Sequence, residues 1–357
     1  MVFFCSLRFI SFDISRIFVA VGSKIGYDIE WQRKLPTPGF TAGSFITQSK
    51  IKTRKIRMEW EAGIIESMQS NLGGIGKALG SVFAFIGGEY GLMILLVIVL
   101  FCWKKEAGQR LALIIAALHV WFAMIKAVVK RPRPYVEYPE RVKALSPVDT
   151  KAALTNVAAQ GYSFPSMHSG SSTASYISLA REIKKKWFWI LAVALMLLVG
   201  ISRVVTGNHY PTDVLAGWAL GFAVIGIFAL LERVVRKEWV RHLILLGTAL
   251  PGLFFVRTED YYTSLGLMIG AIAAIAFERR FVNYQDTRNP LAMILRTAGA
   301  FIIYFGLNTL LKMPFNKDFL ASASLGALLI RTARYTVIMF LIMGVYPKIF
   351  PLFERKR

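Results

Sequence analysis

Apolar runs of bilayer-crossing length, recurring along most of the chain, decide what this sequence can become. A helix needs about 20 predominantly apolar residues to cross roughly 30 Å of hydrocarbon. Runs near that length fall at about 88–103, 111–129, 166–181, 187–205, 213–233, 241–256, 262–278, 294–311 and 332–350. Phe319 to Ile330 is apolar but short, which fits a re-entrant, an interfacial or a bent segment alike. The expected fold class is all-α, a polytopic transmembrane helical bundle.

Charge sets the orientation. The 357 residues are 55% hydrophobic and only 18% charged, yet the formal net charge is +22. So basic a chain would ordinarily suggest nucleic acid, but here Lys and Arg sit beside the apolar runs, as at 181–186 and 233–237. The positive-inside rule and anionic headgroups account for that placement, and no nucleic-acid partner is expected. Lys104, Lys105, 184–186, 233–241, Arg279, Arg280 and the basic tail then share the cytoplasmic side, and the span ends carrying Lys126, His168 and His209 share the other. Cys5 and Cys102 are too few for a disulfide framework or a metal knuckle.

Residues 1–57 carry ten Lys/Arg, an interrupted Phe/Ile-rich start and a Pro/Gly patch at 36–43. They read as an N-terminal extension without chemistry of its own, and Met58 as a candidate translation start. From Met58 to about Ile86 an amphipathic, Gly-broken helix is expected near the membrane face.

Three polar clusters interrupt this apolar background. Lys126 lies in the last turn of the second run, and Pro132 and Pro134 end that helix so that Arg133 projects from extended backbone. An ammonium and a guanidinium can then approach one anion from two directions. In Phe164-Pro-Ser166-Met-His168, Ser166 is a natural N-cap, and the first-turn N–H groups with the helix dipole form an anion seat. His168, in that turn, could protonate a leaving oxygen. In Ser202-Arg203 through His209 to Asp213, Pro211 starts a helix and Asp213 can orient one nitrogen of His209, leaving the other as nucleophile or base. His119 and His242 are expected to be structural.

Read in order, these are K-x6-R-P, P-S-x-H and S-R-x5-H-x3-D, and the chain from about Gly88 to Arg236 resembles the type 2 phosphatidic acid phosphatase (PAP2) superfamily. The resemblance implies a six-helix core within 58–236, with residues 237–357 adding about three to four further spans. It implies His209 as the nucleophile that becomes a phosphohistidine, Asp213 as its orienting partner and His168 as general acid. Lys126, Arg133, Arg203, Ser166 and the Met167 N–H would hold phosphate, with no metal and no cofactor. Arg131-Pro132 does not compete for the first motif, because position 124 is Met rather than Lys. Met167 replaces the glycine usual in the second motif; non-glycine residues at this position also occur in the sphingosine-1-phosphate phosphatase branch, which likewise has extra C-terminal spans.

The expected function is an integral-membrane phosphatase acting on a lipid phosphate or pyrophosphate, with its active site on the non-cytoplasmic face of the plasma membrane. Undecaprenyl pyrophosphate, phosphatidate, phosphatidylglycerol phosphate and sphingoid phosphates all fit. Phosphoryl transfer to another acceptor would use the same residues, and a phosphate-lipid transporter is a further alternative. The expected partners are the lipid phosphate and the surrounding membrane lipids.

Overall fold

The computed structural model describes residues 44–148, 150 and 152–353. The expected features within 1–43 lie outside the described residues. The chain divides into two compact units, one to Trp60 and one from Glu61 onward.

Helix α1 (Ser44–Gly87) is continuous through its glycines, where a broken helix was expected. Isolated glycines cost a helix about 1 kcal/mol each without ending it. Two of them serve packing: a Cβ at Gly80 would lie 2.4 Å from the Thr206 methyl, and one at Gly87 2.3 Å from Val199. At Gly88 the chain bends by 44° into α2 (Glu89–Ile98), which ends in a π-helical turn, Val99–Trp103. Helix α3 (Lys105–Val129) follows, stopped by left-handed Lys130 and the two prolines beyond it. The polar connection carries single turns α4 (Pro134–Glu137) and α5 (Val157–Gln160).

The centre of the first half is α6 (Met167–Ile183), which contacts α3, α7 (Lys186–Val205) and α8 (Pro211–Val234). At 17 residues and rich in buried serine and threonine, α6 is shorter and more polar than its neighbours. Backbones touch where it meets α8: a Cβ at Gly217 would lie 2.6 Å from the Ser166 carbonyl, and one at Gly221 2.8 Å from that of Gly170. Small residues permit such close approach in a membrane, where apolar side chains gain little by leaving lipid for one another.

The second half is one correction and three spans. The expected span at 241–256 is instead α9 (Glu238–Ala249), 12 residues followed by a 3₁₀ turn at Leu250–Phe254. Twelve residues rise only about 18 Å. Pro251 removes a helical N–H, and Gly252 lets Tyr261 pack where a Cβ would sit 2.3 Å from its ring. Helices α10 (Glu259–Phe281) and α11 (Pro290–Leu310) follow, then the short α12 (Lys317–Ala321). Helix α13 (Leu325–Phe340) starts seven positions before the expected 332 and continues through π and 3₁₀ turns into α14 (Phe350–Phe353). The ambiguous stretch from Phe319 thus divides between α12 and the last span.

Among the described residues, six helices are long and apolar enough to cross a membrane, or seven if the bent α1–α2 pair is one span, and no strand is present. The protein is an all-α polytopic helical protein. Parallel α10 and α13 are laced by Thr332 Oγ1 donating to the Tyr262 carbonyl (2.9 Å) and Thr336 Oγ1 to that of Gly266 (3.1 Å). One apolar core runs from Ala117, Leu118 and Phe122 of α3 through Tyr261, Leu265 and Met268 of α10 to Ile338 of α13. The starting end of α3 gathers ion pairs: Arg110 meets Glu182 at 2.6 Å and Glu232 at 2.8 Å. Its finishing end carries Lys126 and leads to the site.

Candidate active site

Local chain geometry delivers each cluster to the same end of the bundle. Lys126, one turn from the end of α3, donates its ammonium to the Tyr162 carbonyl. Two prolines hold Arg133 extended, and its buried guanidinium reaches the Gln160 carbonyl (Nε, 2.7 Å) and the Asn208 carbonyl (Nη1, 3.0 Å). Arg203, in the last turn of α7, donates Nη2 to the Gly80 carbonyl of α1 at 3.0 Å. Among the described residues none of these three cations forms an ion pair; each donates to main-chain carbonyls.

The loop after α7 is tightly specified. The Arg203 carbonyl accepts the N–H groups of Asn208 (3.1 Å) and His209 (3.2 Å), folding the chain back over the helix end. Gly207 makes this possible with φ +75°, and a Cβ there would press within 2.6 Å of the Lys143 carbonyl. Pro211 then starts α8 at its preferred first position, and the Asp213 carboxylate accepts the Tyr210 N–H at 2.9 Å. The Ser166 N–H donates to the Asp213 carbonyl at 3.0 Å, joining the starts of α6 and α8.

Ser166 caps α6 as its sequence suggests: its Oγ accepts the Ser169 N–H and the Ser169 hydroxyl (2.8 Å). The N–H groups of Met167 and His168, in the first turn, have no intrahelical acceptor. The Met167 side chain turns aside against the apolar core. His168 is half-buried, within electrostatic reach of Arg203, His209 and Arg133. Its Nε2 faces the bend at Gly88, 3.2 Å from where a Cβ there would be.

His209 is 3% exposed. Burial first, then the charges of Arg133, Lys126 and Arg203, hold its imidazole well below the usual range, so it is neutral near pH 7. Its Nε2 lies 3.4 Å from Arg133 Nη1, a group that can only donate, so Nε2 is the acceptor and the proton sits on Nδ1. Nδ1 points at Asp213 Oδ2 across 3.6 Å, longer than a hydrogen bond, and has no partner at hydrogen-bond geometry, while the Ser163 main chain lies against the imidazole and opposes part of the shift. The structure therefore brings together His209, Asp213, His168, Lys126, Arg133, Arg203, Ser166 and the start of α6. His119 stands apart, its Nε2 2.7 Å from Ser171 Oγ, and His242 lies in α9 near Glu238.

Two residues at the site escaped the sequence reading. Arg131, set aside when Arg133 was chosen, donates Nη1 to Asp213 Oδ1 at 2.7 Å and Nη2 to Glu61 Oε2 at 2.6 Å. The structure separates the two arginines of the Arg-Pro-Arg-Pro run by function of charge: Arg131 is neutralised by carboxylates, Arg133 is not. No sequence signal marks Glu61, one of three glutamates on a mixed helix.

Fold and site define a polytopic helical membrane protein with two histidines and three carboxylate-free cations clustered at one end of its bundle. The chain belongs to the PAP2 superfamily: the PAP2 superfamily profile matches residues 107–236, and the profile of the PAP2 superfamily phosphatase transmembrane extension matches 262–356. It is 43% identical over 60 residues to the undecaprenyl-diphosphatase of Sulfolobus acidocaldarius, covering 17% of this chain and 29% of that one. It is 37% identical over 89 residues to phosphatidylglycerophosphatase B of Bacillus subtilis, covering 21% and 44%. It is 36% identical over 106 residues to the decaprenylphosphoryl-5-phosphoribose phosphatase of Mycobacterium tuberculosis, covering 30% and 50%. The match thus spans half or less of the length of each of these relatives. No solved structure matches the chain significantly.

Proposed function

We propose that this protein is an integral-membrane phosphatase that removes phosphate from a lipid phosphate or pyrophosphate through a phosphohistidine on His209. The observation that carries this reading is that Lys126, Arg133 and Arg203 surround a neutral, bare imidazole nitrogen without a carboxylate to neutralise any of them. Such a site attracts an anion and offers it a nucleophile.

His209 Nε2 attacks phosphorus as the P–O bond to the lipid breaks, and His168 donates a proton to the departing oxygen. Asp213 stabilises the proton on Nδ1 as the ring becomes cationic, which requires the 3.6 Å gap to close. The three cations and the first-turn N–H groups of α6 balance the charge on the equatorial oxygens. Water, activated by His168 as base, then attacks phosphorus and breaks the P–N bond, releasing phosphate and restoring His209. The mechanism asks for no metal.

A site at one face of an apolar bundle suits a substrate whose headgroup meets the cations while its chains stay in lipid. The relatives' substrates, undecaprenyl and other polyprenyl or glycerol lipids, belong to that class. With the basic ends of the spans cytoplasmic, the site faces the opposite side of the plasma membrane.

The test is phosphate release by the detergent-purified protein, in EDTA, from undecaprenyl pyrophosphate, phosphatidate, phosphatidylglycerol phosphate and sphingosine phosphate. Release from one of them is expected to survive EDTA and to fall at least about a thousandfold in His209→Ala. Loss in EDTA would refute the metal-free mechanism. Silence on every lipid, with orthovanadate still bound, would refute hydrolysis and favour transfer to another acceptor.

A further inference from the structure

Arg131 is the cation of this region that the phosphate seat does not use, and it is held on every side. The side chain is 2% exposed. Besides Glu61 Oε2 and Asp213 Oδ1, its Nη1 donates to Thr212 Oγ1 at 2.7 Å, and its guanidinium lies 3.8 Å over the Tyr210 ring. Glu61 is equally buried, and its second oxygen accepts the Thr212 N–H at 3.0 Å and the Thr212 hydroxyl at 2.7 Å. One arginine thus joins α1 to the first turn of α8 through two carboxylates.

The charges matter as much as the geometry. An Arg131–Asp213 pair alone would sum to zero and give His209 no net negative charge to lean on. Glu61 adds the second carboxylate, so the three side chains together carry one net negative charge. The geometry also divides the oxygens of Asp213. Arg131 occupies Oδ1, which leaves Oδ2 for the Tyr210 N–H and for the imidazole.

We propose that Glu61 and Arg131 are a positioning pair that aims Asp213 Oδ2 at His209 Nδ1 and so keeps Nε2 bare. The proposal rests on the phosphohistidine reading for its consequence in catalysis, but its structural content is testable without turnover. Neither residue touches substrate; both act through Asp213.

The experiment is ¹⁵N NMR of the full-length, ¹⁵N-histidine-labelled protein in detergent, where ring-nitrogen shifts distinguish protonated from bare nitrogens. The His209 signals are assigned from their loss in His209→Ala. Wild type is expected to show a single Nδ1–H tautomer. In Arg131→Gln, and in Glu61→Gln/Arg131→Gln, which leaves no unpaired Glu61 charge behind, a mixture of tautomers is expected. In Arg131→Lys, which keeps the charge and one bond, the wild-type tautomer should dominate again. Phosphate release should lose roughly ten- to a hundredfold in kcat in the Gln variants with KM within about threefold. The His119 signal, from a ring bonded to Ser171, reports whether the fold persists. Where it is lost in the Gln variants, Glu61→Asp carries the test by the same criterion. An unchanged tautomer in a folded variant overturns the pair, whatever the activity. A tautomer that responds in a protein releasing no phosphate from any lipid upholds the pair and sinks the phosphatase reading instead.

Discussion

At the scale of the residue, Asp213 answers to two partners with two oxygens, and the division sets what its substitutions should do. Asp213→Asn places an amide beside Arg131 and offers His209 a group that can hold the wrong tautomer. Phosphate release should fall by about 10³–10⁴ in kcat, by the logic of the orienting aspartate in serine proteases; a loss under about tenfold in purified protein would remove Asp213 from the mechanism. His209 itself carries a pH signature. Its folded pKa lies well below 6.5, the value of the unfolded chain, so the unfolded state binds the extra proton first as pH falls. Stability is therefore full above about pH 6.5 and declines below it. Thermal melts at about pH 7.5 and 5.5 should show wild type losing more than His209→Gln, which has no proton to take up. The motif residues were legible because each cluster is local: a cap, a proline, a histidine four positions before an aspartate. Glu61 was not, since it meets Arg131 across 70 positions and Thr212 across 151, and no spacing rule reaches that far. Arg131 is visible in the sequence, but nothing local separates it from a phosphate ligand; only its contacts with Asp213 and Glu61 do.

At the scale of the element, short turns do most to place the site. The loop between α7 and α8 needs Gly207 in the left-handed region. Gly207→Ala should cost about 1–2 kcal/mol in backbone strain alone, before its contact with the Lys143 carbonyl is counted. Because the same turn carries His209, the melt should shift down and kcat should fall together. A melt shift without loss of kcat would mean that the loop recovers its geometry. Helix boundaries divided into those the sequence announces and those it hides. Pro211, Ser166 and the run after Lys130 mark their helices plainly. The apolar stretch at 241–256 does not reveal that α9 stops at Ala249, because its end is decided by Tyr261 packing onto Gly252 from the next helix.

At the scale of the whole molecule, the C-terminal spans are not an appendage to the helices that carry the motifs. The buried face of α3 packs on α10, and α10 on α13, so a chain ending at Arg236 would leave Ala117, Leu118 and Phe122 without their α10 cover. Such a truncation should fail to accumulate in membranes, as read by immunoblot of the membrane fraction; full-length levels with normal phosphate release would show the extension to be dispensable. Hydropathy made this half's membrane character legible but not its partners, since every face of α10 is similarly apolar or small.

Lys126, Arg133 and Arg203 rest on oxygens of Tyr162, Gln160, Asn208 and Gly80. On the proposed reading these neutral acceptors are stand-ins: an arriving phosphate would take over their hydrogen bonds and would have no carboxylate partner to displace. Those four carbonyls belong to different stretches of chain, α1, the end of α5, the turn before α6 and the loop after α7, so one bound phosphate would be felt in all of them.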